Sequence, residues 1–568
     1  MRYPFIILVL LSISLNLSAG KYVVTWMDTL DNSGDDDAYA IAVDPDGYLY
    51  VTGMSYINSN YWALTLKYSP SGSIVWADTF VCGAFDGFMG ITVDESEFIY
   101  TTGSAYIGTD IDCITVKYDS TGTIIWVDTL DLGGDEYGYG IATDKTGDVY
   151  VTGYTFDGSN YDCFTVRYDS DGNTVWVDTI DNGRDDTSHD IVTDGLGHVY
   201  ITGSLSTGSN IYFYTVKYDT SGELLWSDSP TSAGQGVAYG IAIDVNGNVY
   251  VTGYLYRSGE SDYLTIKYSP DGNILHVDTL DNASTEEAKG IFIDMQGNIY
   301  LTGRTYIQNW DYLTVKYDTM WNIVWMDTID MGSDDEAEGV VVDLLGNVFV
   351  TGRSYIGSNK DYLTVKYSKF VDAGIISITS PDTGYTDSSY TPTILVKNNS
   401  YEDTLNIDIA CYVDSAGIHV YTDLKSVFSL TPGDSTGIVF DPWNTPSQPN
   451  DYTLRFSLLT TDMDPENDTL SKPLYVREAT GIFYNDSNFK LHPPSLCRPG
   501  SVITYYINKK APYTLLIIGV DGRLIKRIKG NGKGSHRLIL PELPTGIYFI
   551  KLLQAGNSMD ARFILVKQ

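Results

Sequence analysis

The chain has 568 residues, 43% of them hydrophobic, with 54 glycines and 46 tyrosines. That length exceeds what one core organises, and the mixture favours β-strands joined by tight turns. The formal charge of −38 is uneven: residues 481–568 carry 13 basic and 4 acidic residues, hence +9, against 22 and 69 elsewhere, hence −47, and an acidic body repels phosphate backbones, which argues against nucleic acid as a partner.

Residues 1–20 read as a signal peptide. Arg2 gives a short positive region, 5–15 is an apolar run of 11 residues, and Leu17-Ser18-Ala19-Gly20 offers small residues for cleavage. A spanning helix needs roughly 20 apolar residues, and no later segment supplies them. The expectation is a secreted or cell-surface protein with no transmembrane helix after cleavage.

From here to residue 370 the same text returns at a fixed period. Trp26, Trp76, Trp126, Trp176 and Trp226 stand 50 residues apart, His276 takes the sixth place and Trp325 the seventh. Each unit divides into four strand candidates rich in Val, Ile, Thr and Tyr. Strand A is GIAID at 240–244, strand B NVYVTG at 248–253, strand C YLTVKY at 312–317 and strand D NIVWMDT at 322–328. Asp-x-x-Gly turns join A to B, and similar turns join C to D. Four antiparallel strands repeated radially make a propeller blade. All four strands occur seven times, but the first D strand (22–30) precedes the first A strand, and the last unit stops after strand C at Tyr367. Residues 21–370 are therefore expected to form a seven-bladed β-propeller closed by its N-terminal strand, which removes the open edge of a linear array.

Residues 371–476 lose the period and show short alternating strands that suit a β-sandwich. Residues 477–484 read as a linker, and 485–568 as a last small β-sandwich. The fold class expected is thus all-β, a seven-bladed propeller followed by two small β-sandwich domains.

The residues that carry chemistry are few. Six histidines are scattered with no pair at metal-ligand spacing, and no nucleophile elbow, zinc-binding helix or phosphate loop occurs. His276 reads as a packing variant of Trp. Five cysteines suggest no disulfide framework; Cys113 and Cys163 hold the same place in neighbouring repeats, a packing position unless the two bridge. Asp44, Asp94, Asp144, Asp194, Asp244, Asp294 and Asp343 end strand A in every unit, and seven identical copies favour turn capping over catalysis. Arg304 and Arg353 are equivalent residues of adjacent blades, either an anion-binding pair or two solvated side chains.

The D–A and B–C connections read as the longer ones and share one face. The D–A loops are acidic (31–37, 181–186 and 333–338), and the B–C connections repeat an aromatic at Tyr56, Tyr106, Phe156, Tyr256, Tyr306 and Tyr355, with Ser206 in blade 4. Aromatics beside carboxylates suit sugar stacking or contact with a protein partner, and the carboxylates can hold Ca²⁺, which takes several oxygen ligands. Asp462, Asp464, Glu466 and Asp468 form a further, weaker Ca²⁺-like run; no other cofactor is expected. The alternative is that the aromatics pack between blades and the acids only solubilise the surface.

The propeller text resembles the bacterial repeat family known by its seven-bladed β-propellers (the SBBP type), through DVNGNVYVT at 244–252 and YDCFTVRYDSDGNTVW at 161–176. Residues 371–476 resemble Ig-like adhesion-type domains of bacterial surface proteins, through VKN at 396–398 and DPEND at 464–468. The tail resembles type A sorting domains of the type IX secretion system, through VDGR at 520–523 and GIYF at 546–549, although Pro493-Pro494 stands where an Asn-Pro type start is usual; a related Ig-like stalk without a sorting role is the alternative. These resemblances imply export through the outer-membrane secretion machinery. The expected function is a non-catalytic binding or adhesion protein whose propeller face is a platform for protein or glycan. A structural component of the cell envelope or matrix is the alternative. An enzyme is the third, and it would need non-equivalent polar residues converging near the propeller axis.

Overall fold

The computed structural model describes residues 22–477 apart from 232–233, 258, 283, 358, 382–383, 387, 401–403, 449 and 460–466, and, between 489 and 565, the strands only. It divides into two compact units, Met1–Phe370 and Val371–Gln568. The described residues are all-β, without an α-helix. The signal segment 1–20, most of the linker, Asp462, Asp464, Glu466, Pro493-Pro494 and the 520–523 stretch lie outside the described residues.

The first unit is a seven-bladed propeller of four-stranded antiparallel sheets. Blade 1 comprises Asp36–Val43, Leu49–Ile57, Asn60–Tyr68 and Ile74–Phe80 as strands A to D. Blades 2 to 6 follow at 84–130, 135–180, 186–228, 235–280 and 286–329. Blade 7 takes A, B and C from Asp335–Val342, Val348–Ile356 and Asn359–Lys369, and its outer strand is Tyr22–Leu30. The seven A strands neighbour one another in a closed ring about the axis.

Each repeated residue has a packing reason. The Asp that ends strand A caps its own turn: Asp94 Oδ1 accepts the Ser96 and Phe98 N–H groups at 2.8 and 2.9 Å, and its Oδ2 accepts the Tyr100 hydroxyl at 2.9 Å. Asp144, Asp194, Asp244 and Asp294 repeat the arrangement. The Trp of strand D lies over the glycine of the next blade's C–D turn, as Trp76 does over Gly122 (φ +85), where a Cβ would meet the indole. The strand C tyrosine donates to the strand D aspartate of the preceding blade, Tyr68 to Asp28 at 2.9 Å and Tyr218 to Asp178 at 2.8 Å. Cys113 and Cys163 are buried free thiols, which settles their place as packing.

The expected loop lengths need a correction. In blade 1, strands B and C form a continuous hairpin that pairs Ile57 with Asn60, so only two residues connect them. Asn58 and Ser59 both take positive φ, 54° and 69°, which matches a type I′ turn. The extra residues assigned to a B–C loop instead extend the two strands.

In the second unit, a three-stranded sheet (Ala373–Ser380, Thr393–Asn398, Ser435–Val439) accompanies a five-stranded one that includes Leu405–Ser415, Ile418–Leu430, Asn450–Leu458 and Thr469–Arg477. Their shared core holds Ile394, Val396, Ile409, Val413, Phe440 and Phe456. The strands from Phe489 to Leu565 repeat this plan, three strands and five. In the five-stranded sheet the edge strand Leu524–Asn531 exposes Lys526, Arg527 and Lys529.

Candidate functional site

In a repeat protein, whatever recurs in every copy serves the fold, so a site is sought where the copies differ. One position does so at the axis. Every A strand carries a β-bulge at the same place, between Ala38 and Ala40 in blade 1 and between Ala337 and Gly339 in blade 7, with the same shift in the other five. The bulged residue is outside the ladder and is re-aimed. The seven bulged residues are Tyr39, Met89, Tyr139, His189, Tyr239, Lys289 and Glu338, all half-buried and no two neighbours alike. Strand B adds Met54, Ser104, Tyr154, Ser204, Tyr254, Arg304 and Arg353 beside them.

The two sets divide the axial mouth into arcs. Blades 3 to 5 form an aromatic track from rim to axis. Its ring centroids are spaced 5.0 Å (Phe156–Tyr161), 5.2 Å (Tyr161–Tyr154), 5.2 Å (Tyr154–Tyr139), 5.6 Å (Tyr139–His189), 5.1 Å (His189–Tyr239) and 6.1 Å (Tyr239–Tyr254). The Tyr139 and Tyr154 hydroxyls share a hydrogen bond of 3.0 Å. Burial, and then the charge of Lys289, push the His189 imidazole down to about 3, so it is neutral, with Nε2 3.1 Å from Thr187 Oγ1.

Blades 6, 7 and 1 form an ionic arc. Lys289 Nζ sits 3.5 Å from the centre of the Tyr239 ring and joins the two arcs. Arg304 bonds Glu287 of its own blade at 2.6 Å and Glu336 of the next at 2.8 Å. Arg353 pairs with Glu336, with Glu338 at 3.6 Å and with Asp37 of blade 1 at 3.5 Å. Burial raises the Glu338 carboxyl above its ordinary range; for Glu336 the same burial is outweighed by Arg353 and Arg304, which hold it below. Both readings of the arginine pair are therefore corrected. Arg304 and Arg353 are neither an open anion site nor solvated, because carboxylates of the paired strand A and of the next blade engage them.

The six aromatics on strand B line the rim, one in each blade but the fourth, each opposite the first residues of strand C. Tyr106, Tyr256 and Tyr306 are exposed, at 43, 54 and 47%, while Tyr56, Phe156 and Tyr355 are half-buried. Tyr56 packs on Tyr61 at 5.0 Å, Tyr306 on Trp310 at 5.4 Å, and Lys360 lies 5.6 Å over Tyr355. The rim set does not gather at one point; the bulged set does. The sequence carried the signal for the latter: two residues before the Ile or Val of strand A it reads Tyr, Met, Tyr, His, Tyr, Lys, Glu around the ring.

Carboxylates gather at the D–A junctions between blades. Asp112, Asp131 and Glu136 each place an oxygen within 4.8 Å of the other two, as do Asp262, Asp281 and Glu286, then Asp311, Asp330 and Asp335, and Asp31, Asp36 and Asp361. Burial first, and then their acidic neighbours, push Asp112 and Asp311 up to about 6 and Asp361 to about 7. Of the four acids at 462–468, Asp468 alone is described; its carbonyl accepts the Leu458 N–H at 2.8 Å.

Fold and site together define a closed β-propeller whose axial mouth is aromatic on one side and ionic on the other. No known family profile matches the sequence, and no curated protein does. Among solved structures the chain is similar to Sqt1 from Chaetomium thermophilum (11% identity, 66% of this chain and 97% of that one, TM-score 0.37). It is also similar to the polysaccharide lyase Uly1 (12%, 62% and 94%, TM-score 0.38) and to the full extracellular region of plexin A4 (8%, 95% and 83%, TM-score 0.38). Similarity at this level says nothing of chemistry. No helix among the described residues is long and apolar enough to cross a membrane.

Proposed function

We propose that this is an exported, non-catalytic binding protein that takes an extracellular protein or glycan at the axial mouth of its propeller. The observation that carries this reading is the aromatic track from Phe156 to Tyr254, whose Tyr239 ring meets the Lys289 ammonium. Ring faces suit the C–H faces of sugars and the cationic or aromatic side chains of a protein. The neighbouring carboxylates are engaged by guanidinium groups, an arrangement suited to directional recognition rather than to proton transfer. The resemblance of the tail to type IX sorting domains supports cell-surface delivery with the outer-membrane secretion machinery as a second partner, and its cationic edge strand at Lys526, Arg527 and Lys529 suits an anionic surface there.

The test is a glycan-array and cell-surface binding screen of the full chain in three forms: unaltered, with Tyr154→Ala and Tyr239→Ala, and with the rim substitutions Tyr106→Ala, Tyr306→Ala and Tyr355→Ala. The axial pair is expected to weaken binding at least about tenfold, roughly 1.4 kcal/mol, and more than the rim set does. Binding that survives both sets would remove this face from consideration.

A further inference from the structure

We propose that two blade junctions, those of blades 2 and 3 and of blades 6 and 7, are Ca²⁺ sites, each built from one carboxylate at the start of strand C, one in the D–A loop and one at the start of the next blade's strand A. At the junction of blades 2 and 3 these are Asp112, Asp131 and Glu136; at that of blades 6 and 7 they are Asp311, Asp330 and Asp335.

Two independent observations carry this. The first is spacing. Oxygens bound to one Ca²⁺ at about 2.4 Å are at most about 4.8 Å apart, and the three carboxylates of each junction meet that limit. The second is unmet bonding. Asp112 Oδ1, Glu136 Oε2 and Asp311 Oδ1 are sealed from solvent and accept no hydrogen bond, in residues only 6, 0 and 3% exposed. The other oxygen of Glu136 already accepts from Thr155 Oγ1 at 2.6 Å and from the Gly134 N–H at 3.2 Å, which leaves Oε2 for the cluster. Burying such an oxygen without a donor is costly. The charged groups beside Asp112 are Asp131, Asp110 and Glu136, all anionic, so no side chain there offsets the charge and a hard cation would.

The repeats supply their own control. At the junction of blades 1 and 2 the corresponding residues are Trp62, Val81 and Asp86, and at that of blades 4 and 5 they are Tyr212, Thr231 and Gly236. The solitary Asp86 is satisfied by the loop backbone, from the Cys82 and Gly83 N–H groups at 3.0 and 3.1 Å. A single acid is therefore enough to cap the loop. The added two bring surplus oxygens, and they reach across a blade boundary, so a bound ion ties neighbouring blades together.

The experiment uses the full chain stripped with a chelator and dialysed against about 5 mM CaCl₂, with bound metal counted by atomic emission and unfolding followed by heat. About two ions per chain are expected, with affinities near 0.1–1 mM as in extracellular modules, and a rise in Tm of several degrees. Asp112→Asn with Glu136→Gln should lose one ion and part of that rise. Without metal it should melt no lower than the stripped parent, since it removes repelling charges; that measurement separates a lost site from a lost fold. Asp86→Asn should keep the full count. Fewer than one ion per chain, a full count in the double variant, a loss on Asp86→Asn, or an equal shift with Mg²⁺ would each overturn the assignment.

Discussion

At the axis, neighbouring A strands approach so closely that the residue after the bulge is small: Ala40, Gly90, Gly140, Gly240, Gly290 and Gly339. A Cβ on Gly240 would press on the Lys289 carbonyl, and one on Gly140 on the backbone of Asp190. Blade 4 alone places a carboxylate there. Asp190 Oδ1 accepts its neighbour Ile191 N–H at 2.8 Å, and Oδ2 crosses to the Ile241 N–H of blade 5 at 3.0 Å. Burial pushes this carboxyl up to about 7, and those two bonds restrain the rise. An acid raised in the folded state binds more protons folded than unfolded between roughly pH 4 and 7. Its contribution is thus fully present below its unfolded value and is lost as pH rises through about 7. Asp190→Asn cannot ionise but gives up one acceptor, a constant loss of about 1 kcal/mol. The stability difference between parent and variant is expected to swing toward the variant by a few kcal/mol from pH 4 to pH 8, because each tenfold change in proton affinity on folding is worth about 1.4 kcal/mol. Denaturant midpoints across that range measure the swing; parallel curves would show that Asp190 is not the titrating group.

At the scale of the element, the turn and the strand exchange partners. Five blades pack a strand D tryptophan over a turn glycine. Between blades 5 and 6 the glycine position holds Trp321, at φ 63°, and the tryptophan position holds His276, with ring centroids 4.3 Å apart. The large ring has moved from strand to turn. Trp321 also stacks on Tyr250 at 6.1 Å, so it fills the space that the indole occupies elsewhere. His276→Trp alone is expected to overpack the site and cost about 1–3 kcal/mol, and Trp321→Gly alone about 3–5 kcal/mol through the cavity it leaves. The two together should recover most of both losses, a coupling that a double-mutant cycle in thermal or chemical unfolding reads directly. Additive losses would mean that the pair do not share one space. The same junction shows what the sequence makes legible. His276 stood out because six other copies have Trp at its place, and the packing rule repeats at each boundary. Its compensation by Trp321 was less visible, since it lies 45 residues on and in the next blade. The bulge was hidden for a related reason: present in every copy, it leaves the 50-residue period unchanged and interrupts strand alternation by a single residue. Arg304 and Arg353 could be paired by register, but their carboxylates come from strands whose approach only the closed ring determines.

For the propeller as a whole, one nine-residue strand bears on three blades. Tyr22–Leu30 pairs with strand C of blade 7 from Tyr22↔Lys369 to Leu30↔Tyr362. The Tyr22 ring meets Trp325 of blade 6 at 4.9 Å, and its hydroxyl accepts from Lys316 Nζ at 3.0 Å. Asp28 accepts from Tyr68 of blade 1, and Trp26 covers the turn at Gly72. No peptide link joins this strand to the blade it completes, so the ring is held shut at this blade by ladder bonds and side chains alone. Removing it would leave Asn359–Lys369 with an unpaired edge, the feature by which sheets recruit other chains. A chain lacking residues 22–30 is therefore expected to melt on the order of 10 °C lower and to self-associate in sedimentation. A peptide of the sequence YVVTWMDTL added in excess should restore the monomer by occupying the vacant edge. The same peptide with its aspartate changed to asparagine should restore it less well, because the buried Tyr68 hydroxyl would then face an amide instead of a carboxylate. A deletion variant that stays monomeric and melts with the parent would show that the six complete blades and the three-stranded seventh hold the ring by themselves.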